Sequence, residues 1–251
     1  MTSSWLIPLC SRHAACVRLV CFPYAGGSSA IYAAWADSLP SWVDAIAVAL
    51  PGRGARFDEP ATTDFAALVD HVSTAIAGVD PLPLALFGHS LGALLAYEVA
   101  RELEQRGAGP GLLFVSGRQA SGLPSRRVPI AHLPDDEFIG ELRAIGGTPS
   151  EILASGELIE LLLPMLRADF ALAERYKPLP GQPLTCPLVA LGGLEDPWVH
   201  APDLRAWSDM TAGPFSMRMF PGDHFYLHQP DRLLAYLVAN LAAWRLQQVP
   251  S

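Results

Sequence analysis

One serine in this sequence has the neighbours that a covalent nucleophile requires. The pentapeptide GHSLG at residues 88–92 has the spacing G-x-S-x-G, which is typical of a sharp strand-to-helix turn called a nucleophile elbow. An apolar run at residues 84–87 precedes it, and a helical stripe of leucines at 91–106 follows it. The pattern therefore predicts a reactive hydroxyl on Ser90, with a simple helix cap as the alternative. His89 is expected to point away from this hydroxyl and to pack.

A serine hydroxyl is a weak nucleophile until a base takes its proton, and an acid has to orient that base. Two late turns offer both groups, GGLEDP at residues 192–197 and PGDH at 221–224, and each follows an apolar run. The carboxyl ends of parallel strands meet at one edge of a sheet. We therefore expect Asp196 and His224 to converge on Ser90.

Neighbouring residues leave alternatives for the acid and for the base. Glu195 adjoins Asp196, but Pro197 fixes a turn there and favours the shorter aspartate. His228 lies just before the last predicted helix, where a surface or capping role explains it. We favour His224 because it follows its turn at once.

Hydrolysis through a tetrahedral intermediate also needs two backbone N–H donors for the oxyanion. The amide of Leu91 is one candidate, since the residue after the nucleophile begins a helix and lacks an intrahelical acceptor. The second is expected from Ala25 in the loop PYAGGSS at residues 23–29. Small residues there let the backbone approach a substrate closely. A phosphate loop is disfavoured because the Lys-Ser/Thr ending is missing.

Short apolar runs separated by turns predict the scaffold that positions these residues. Predicted strands cover residues 17–22, 45–50, 82–87, 112–115, 187–191 and 215–220. Predicted helices include residues 35–39, 65–76, 91–106 and 230–246. Because the strands are continuous apolar runs, we expect helices on both faces of a mostly parallel sheet, an α/β fold of the α/β-hydrolase type.

The alternation of strand and helix stops between the fourth and fifth strands. Residues 135–145, 151–154, 157–165 and 166–176 all have helical patterns. We interpret residues of about 130–180 as a helical lid inserted over the sheet. The whole chain, residues 1–251, is then predicted to form a single domain.

Composition excludes several other classes of function. The chain has 251 residues and a net charge of −8, which disfavours nucleic acid as a partner. Its four cysteines form no disulfide framework and no zinc-ligand spacing, so we expect no metal and a reducing, cytoplasmic location. We also expect no cofactor. The apolar segment at residues 5–10 lacks the features of a signal peptide. The sequence contains no run of 18 apolar residues, so we expect no membrane span.

The motifs taken together resemble those of type II thioesterases, free-standing α/β-hydrolases that accompany polyketide synthases and nonribosomal peptide synthetases. The segments that carry the resemblance are CFPYAGGS, PGRGARFDEP, GHSLG, GGLEDP and PGDHFYL, and it extends from about residue 17 to 244. The resemblance implies Ser90 as nucleophile, His224 as base and Asp196 as acid. It also implies the amides of Ala25 and Leu91 as oxyanion donors.

The resemblance further implies an activity, the hydrolysis of acyl thioesters on the phosphopantetheine arm of acyl or peptidyl carrier proteins, by a monomeric enzyme. This would clear stalled or wrongly primed synthase modules. Gly54 departs from the family, which usually has a glutamate there, so any substrate-loop role of that glutamate is in doubt. The alternatives are a carboxylesterase or lipase acting on small oxygen esters, and a binding protein with a vestigial triad.

Five arginines follow strands at the edge where Ser90 is expected. Arg53 and Arg56 follow the second predicted strand, and Arg118, Arg126 and Arg127 follow the fourth. Carrier proteins are usually acidic, so the net charge of −8 would repel them. We therefore expect the arginines to form a basic rim for the carrier, with scattered solvated arginines as the alternative.

Overall fold

The computed structural model describes residues 4–10, 12 and 14–247, so both ends of the predicted domain lie outside the described residues. Its sheet has the strands β1 (Leu6–Pro8), β2 (Val17–Phe22), β3 (Val43–Val48), β4 (Leu84–His89), β5 (Leu112–Ser116), β6 (Leu188–Gly193) and β7 (Phe215–Phe220). Their order is β1-β3-β2-β4-β5-β6-β7, and all pairs except β1–β3 are parallel. This confirms the prediction of a mostly parallel sheet.

The helices are α1 (Trp35–Ser38), α2 (Phe65–Ala77), α3 (Leu91–Gln105), α4 (Asp135–Ile145), α5 (Ser150–Ala154), α6 (Gly156–Arg175), α7 (Ala201–Arg205) and α8 (Asp231–Gln247). Short 3-10 turns occupy Ser29–Tyr32, Gly54–Arg56, Ala206–Met210 and Tyr226–His228. Within the described ranges, none of these helices is long and apolar enough to cross a membrane.

The central strands are buried on both faces, as their unbroken apolar sequences predicted. In β2, Leu19 packs on the side of α1 and α8, whereas Val20 packs on the side of α2 and α3. Successive side chains of a strand point to opposite faces, so one apolar run serves both layers of helices. The two apolar clusters hold the sheet between the helices and fix the edge at which its loops emerge.

The edge strand β1 was missed by the sequence prediction. Its three residues pair antiparallel with β3, with Pro8 opposite Ile46. Proline is tolerated there because an edge strand leaves one side of its backbone unpaired. A segment this short, interrupted by proline, has too little apolar periodicity to indicate a strand.

Helices α4, α5 and α6 lie between β5 and β6 and enclose an apolar cluster of their own. Phe138 of α4 and Phe170 of α6 meet edge to face within it, with ring centroids 5.6 Å apart. The predicted division into helices 157–165 and 166–176 was wrong, because α6 runs unbroken through Pro164. Packing of its buried face outweighs the hydrogen bond that the proline removes.

Candidate active site

Ser90 occupies the turn between β4 and α3, where its backbone is strained. Its φ is +54° and its ψ is −113°, and among the described residues it is the only one other than glycine with a positive φ. Such a conformation persists only where the surroundings enforce it, and strain of this kind concentrates at functional sites. The side chain makes no capping hydrogen bond to α3. The helix-cap alternative is therefore disfavoured.

The two glycines of the GHSLG motif are required by close backbone packing. A Cβ on Gly88 would lie 2.0 Å from the carbonyl oxygen of Gly92. A Cβ on Gly92 would lie 2.2 Å from the carbonyl oxygen of Phe22, at the end of β2. The turn therefore packs directly onto the neighbouring strand. This contact sets Ser90 beside the loop that contains Ala25.

The loops after β6 and β7 bring Asp196 and His224 together. Nδ1 of His224 is 2.7 Å from Oδ2 of Asp196, and both side chains are buried. The other carboxylate oxygen of Asp196 accepts hydrogen bonds from the amides of Trp198 and Val199, at 2.9 and 3.1 Å. Asp196 is thus fixed by the backbone and orients the imidazole, which leaves Nε2 of His224 on the side away from the acid.

Glu195 and His228, the alternative candidates for the acid and the base, lie in different surroundings. Glu195 is exposed, and it is Asp196 that reaches His224. Nε2 of His228 lies 3.0 Å from the hydroxyl of Tyr24, so this imidazole contacts the loop after β2. Asp196 and His224, rather than Glu195 and His228, therefore form the hydrogen-bonded pair.

Ser90 and Ala25 line a common cavity of about 70 Å³ at the carboxyl edge of the sheet. Leu91 begins α3 and is fully buried, and the amide of a first helical residue has no acceptor within its helix. The hydroxyl of Ser90 forms no hydrogen bond to His224 within the part of the chain that the structure describes. Hydrogen bonds of this kind are often long without substrate and tighten in the reactive complex.

His89 packs beneath the site, as the sequence analysis expected, but its polar partners were not foreseen. Its Nδ1 lies 2.8 Å from the hydroxyl of Ser116, which in turn lies 2.5 Å from the hydroxyl of Tyr226. Burial, aided by the charges of His224 and His228, holds the pKa of His89 well below its usual value. The imidazole is therefore neutral, and its ring centroid lies 4.9 Å from that of His224.

The predicted basic rim is wrong for Arg53 and Arg56, because both side chains are buried. Arg53 pairs with Asp169 of α6. Arg56 donates to the carbonyl of Ala49 and pairs with Glu59. A buried guanidinium needs such partners. The partner of Arg53 is far away in sequence, and the partners of Arg56 lie in a turn whose geometry no local pattern predicts.

The three arginines after β5 have different surroundings. Arg126 is exposed and pairs with Asp203 at 3.1 Å. Arg118 and Arg127, by contrast, line the cavity that contains Ser90. The loop therefore places one arginine on the surface and two beside Ser90.

The sheet, the strained serine and the Asp–His pair together define a serine-type α/β-hydrolase. Residues 17–243 match the family model described as a thioesterase domain. The chain therefore belongs to the thioesterase family, and it is an enzyme that hydrolyses thioesters.

Individual relatives agree with this assignment. Thioesterase PikA5 of Streptomyces venezuelae is 42% identical over 217 residues, which are 84% of this chain and 76% of PikA5. The structure of the type II thioesterase BorB from the borrelidin biosynthetic cluster has a TM-score of 0.88 and 36% identity, and the match covers 96% of this chain and 99% of BorB. These matches support the resemblance found in the sequence motifs.

One relative has a different name. Linear gramicidin dehydrogenase LgrE of Brevibacillus parabrevis is 41% identical over 247 residues, which are 96% of this chain and 94% of LgrE. A dehydrogenase needs a dinucleotide site, and the loop at residues 23–29 lacks the spacing of that fingerprint. The elbow serine instead fits hydrolysis.

Proposed function

We propose that this thioesterase is an editing enzyme that removes acyl groups from the phosphopantetheine arm of carrier proteins in a polyketide or nonribosomal peptide synthase. The observation that supports the chemistry of this proposal most directly is the buried hydrogen bond between Asp196 and His224 at the edge where Ser90 stands. Relatives from such biosynthetic clusters, PikA5 and BorB among them, support the substrate class.

In the proposed first step, Oγ of Ser90 attacks the thioester carbonyl carbon while Nε2 of His224 takes the hydroxyl proton. Asp196 stabilises the imidazolium, and the amides of Ala25 and Leu91 hold the oxyanion. The carbon–sulfur bond then breaks, and His224 returns the proton to the pantetheine sulfur. An acyl ester on Ser90 remains.

In the second step, His224 takes a proton from a water molecule, which attacks the ester carbonyl. The tetrahedral intermediate collapses, the carboxylic acid leaves, and the proton returns to Oγ of Ser90. A thiol is a good leaving group, so this cycle needs no acid stronger than the imidazolium. No cofactor enters either step.

The principal alternative is a carboxylesterase with the same residues, and the substrate separates the two. We expect efficient hydrolysis of a butyryl carrier protein and slow hydrolysis of a butyryl oxygen ester. The reverse preference would refute the proposal. A serine-directed phosphonate should label Ser90 and block turnover. Ser125→Ala alters another serine of the same cavity and should leave the rate nearly unchanged.

We further propose that the enzyme works as a monomer in the cytoplasm. All four cysteines are unpaired, which agrees with a reducing compartment. Light scattering of the purified protein should give the mass of one chain, and a stable dimer would contradict this part of the proposal.

A further inference from the structure

The cavity beside Ser90 has two arginines in its wall that form no salt bridge within the described residues. Nη2 of Arg118 donates to the carbonyl of Ala173 at 3.0 Å, and the guanidinium of Arg127 lies over the ring of Phe170, 4.7 Å from its centroid. Neither arginine forms an ion pair with a carboxylate of the described residues. No carboxylate in the described part of the chain therefore lies within ion-pair distance of either guanidinium, although the charges of Glu174 and Glu141 partly offset that of Arg127.

Each guanidinium also has a buried donor atom that no acceptor of the described chain reaches. These atoms are Nε of Arg118 and Nη2 of Arg127. Glu174, the acidic residue of the cavity wall, is already engaged, because it accepts from the amides of Ile130 and Ala131 at 2.7 and 3.2 Å. A buried N–H without an acceptor is unfavourable, so a small rotation of either guanidinium that brings its free donor to a ligand oxygen in the cavity would be stabilising.

The two charges also act on each other. Burial lowers the pKa of Arg118 to about 10, and the neighbouring charge of Arg127 contributes to this shift. Burial likewise lowers the pKa of Arg127. Guanidinium groups nevertheless stay protonated at neutral pH. With two guanidinium groups and the one carboxylate of Glu174, the wall carries a net positive charge, and it should repel a substrate group that is itself positive.

We propose that Arg127, supported by Arg118, forms a subsite for an oxygen acceptor on the acyl group close to the thioester carbonyl, either a β-oxo oxygen or a carboxylate. The same charges would disfavour an aminoacyl group, whose α-ammonium would enter a cationic wall. This inference rests on the proposed thioesterase reaction at Ser90. It adds a preference among acyl groups that the proposed function does not specify.

The size of the cavity indicates which part of the substrate meets the arginines. Its volume is about 70 Å³. Ser90 lines this cavity together with both arginines, so the reacting carbonyl and the guanidinium groups face the same small space. The phosphate of the carrier arm lies a whole pantetheine length from the thioester. The acceptor is therefore assigned to the acyl side.

The test compares acyl groups of similar size on N-acetylcysteamine, which lacks the phosphate. Butyryl has no β-oxygen, acetoacetyl has a neutral one and malonyl has a carboxylate. We expect Arg127→Met to lower kcat/KM about tenfold for acetoacetyl and malonyl thioesters, the effect of one lost hydrogen bond to a charged group. For the butyryl thioester, Arg127→Met should change kcat/KM by no more than about twofold. The same variant should hydrolyse the 2-aminobutyryl thioester faster than the wild-type enzyme does.

The matched control is Arg126→Met, which removes the adjacent arginine. Arg126 pairs with Asp203 on the surface and does not line the cavity, so all four rates should stay unchanged. Arg127→Lys keeps a positive charge and should restore most of the malonyl rate but less of the acetoacetyl rate. Thermal melting checks that each variant is folded. If Arg127→Met does not fold, Arg127→Lys alone still tests the proposal.

Several results would overturn the inference. An equal loss for butyryl, acetoacetyl and malonyl would mean that Arg127 serves packing alone. A loss seen only with carrier-bound substrates would assign the contact to the phosphate instead. In both cases thioester hydrolysis itself would remain. If the wild-type enzyme hydrolysed none of the thioesters, the proposed function would fail as well, and the two failures are therefore distinguishable.

Discussion

Asp169 of α6 and Arg53 of the loop after β3 form a buried, bidentate ion pair that ties the helical insertion to the sheet. The guanidinium donates at 2.5 and 2.6 Å to the two carboxylate oxygens. Asp169 also accepts from the amide of Gly26 at 2.7 Å, and Arg53 donates to the carbonyl of Gly27 at 3.1 Å. The pair thus holds the loop that contains Ala25, the proposed oxyanion donor.

The ion pair should matter mainly for stability. We expect Asp169→Ala to lower the free energy of unfolding by about 3–5 kcal/mol, because it leaves a buried guanidinium unpaired. Urea unfolding measures this loss. The control is Asp135→Ala, which removes an exposed partner of Arg167 and should cost less than about 1 kcal/mol. Similar losses of unfolding free energy in Asp169→Ala and Asp135→Ala would show that burial does not make the Arg53–Asp169 pair more important for stability than an exposed pair.

The assignment of the base predicts that the two histidines differ. His224→Ala should lower kcat about as much as Ser90→Ala, by roughly 10⁴-fold or more, because the triad acts as a unit. His228→Ala loses a contact to Tyr24 and should be much milder. Steady-state kinetics on an acyl pantetheine measures all three variants. A Ser90/His224 double variant far worse than either single variant would contradict the triad.

The neutral, buried imidazole of His89 predicts a pH dependence of stability. Its folded pKa lies well below 6.5, whereas an unfolded histidine takes up a proton near that value. The unfolded chain therefore binds more protons, and stability should fall as pH drops below 6.5, by up to about 1.4 kcal/mol per pH unit from His89. His228, whose pKa burial also lowers, contributes in the same direction.

Urea unfolding between pH 7.5 and 5.5 checks this slope. His89→Gln should flatten it, whatever it does to stability at pH 7.5, since glutamine does not titrate. The control is His132→Gln at an exposed histidine, which should keep the wild-type slope. An unchanged slope in His89→Gln would mean that His89 takes up a proton as readily in the folded protein as in the unfolded chain.

The ion pair also predicts how a lid would move. Tyr176, just after α6, donates to Glu98 of α3 at 2.6 Å, so the end of this helix is fixed to the core at two points. We expect amide hydrogens of α4 and α5 to exchange faster than those of α3 and of the second half of α6. Asp169→Ala should accelerate exchange in α6. Uniform protection of α3, α4 and α5 would count against a lid.

Local sequence determined the scaffold and the candidate nucleophile. Continuous apolar runs predict buried parallel strands because each side chain of such a strand meets a helix layer. The GHSLG motif at residues 88–92 predicts its turn because only glycine fits the two close backbone contacts. Both conclusions depend on neighbours along the chain, and local patterns report such neighbours well.

Tertiary structure decided which residues meet across long stretches of sequence. Local features already favoured Asp196 over Glu195 and His224 over His228, but the contact between Asp196 and His224 depends on the path of two loops that the packing of β6 and β7 fixes. Arg53 was expected on the surface but is buried. It pairs with Asp169 of α6, which lies 116 positions away in the sequence. A charge is stabilised inside a protein only by a partner in three dimensions, and no local pattern names that partner.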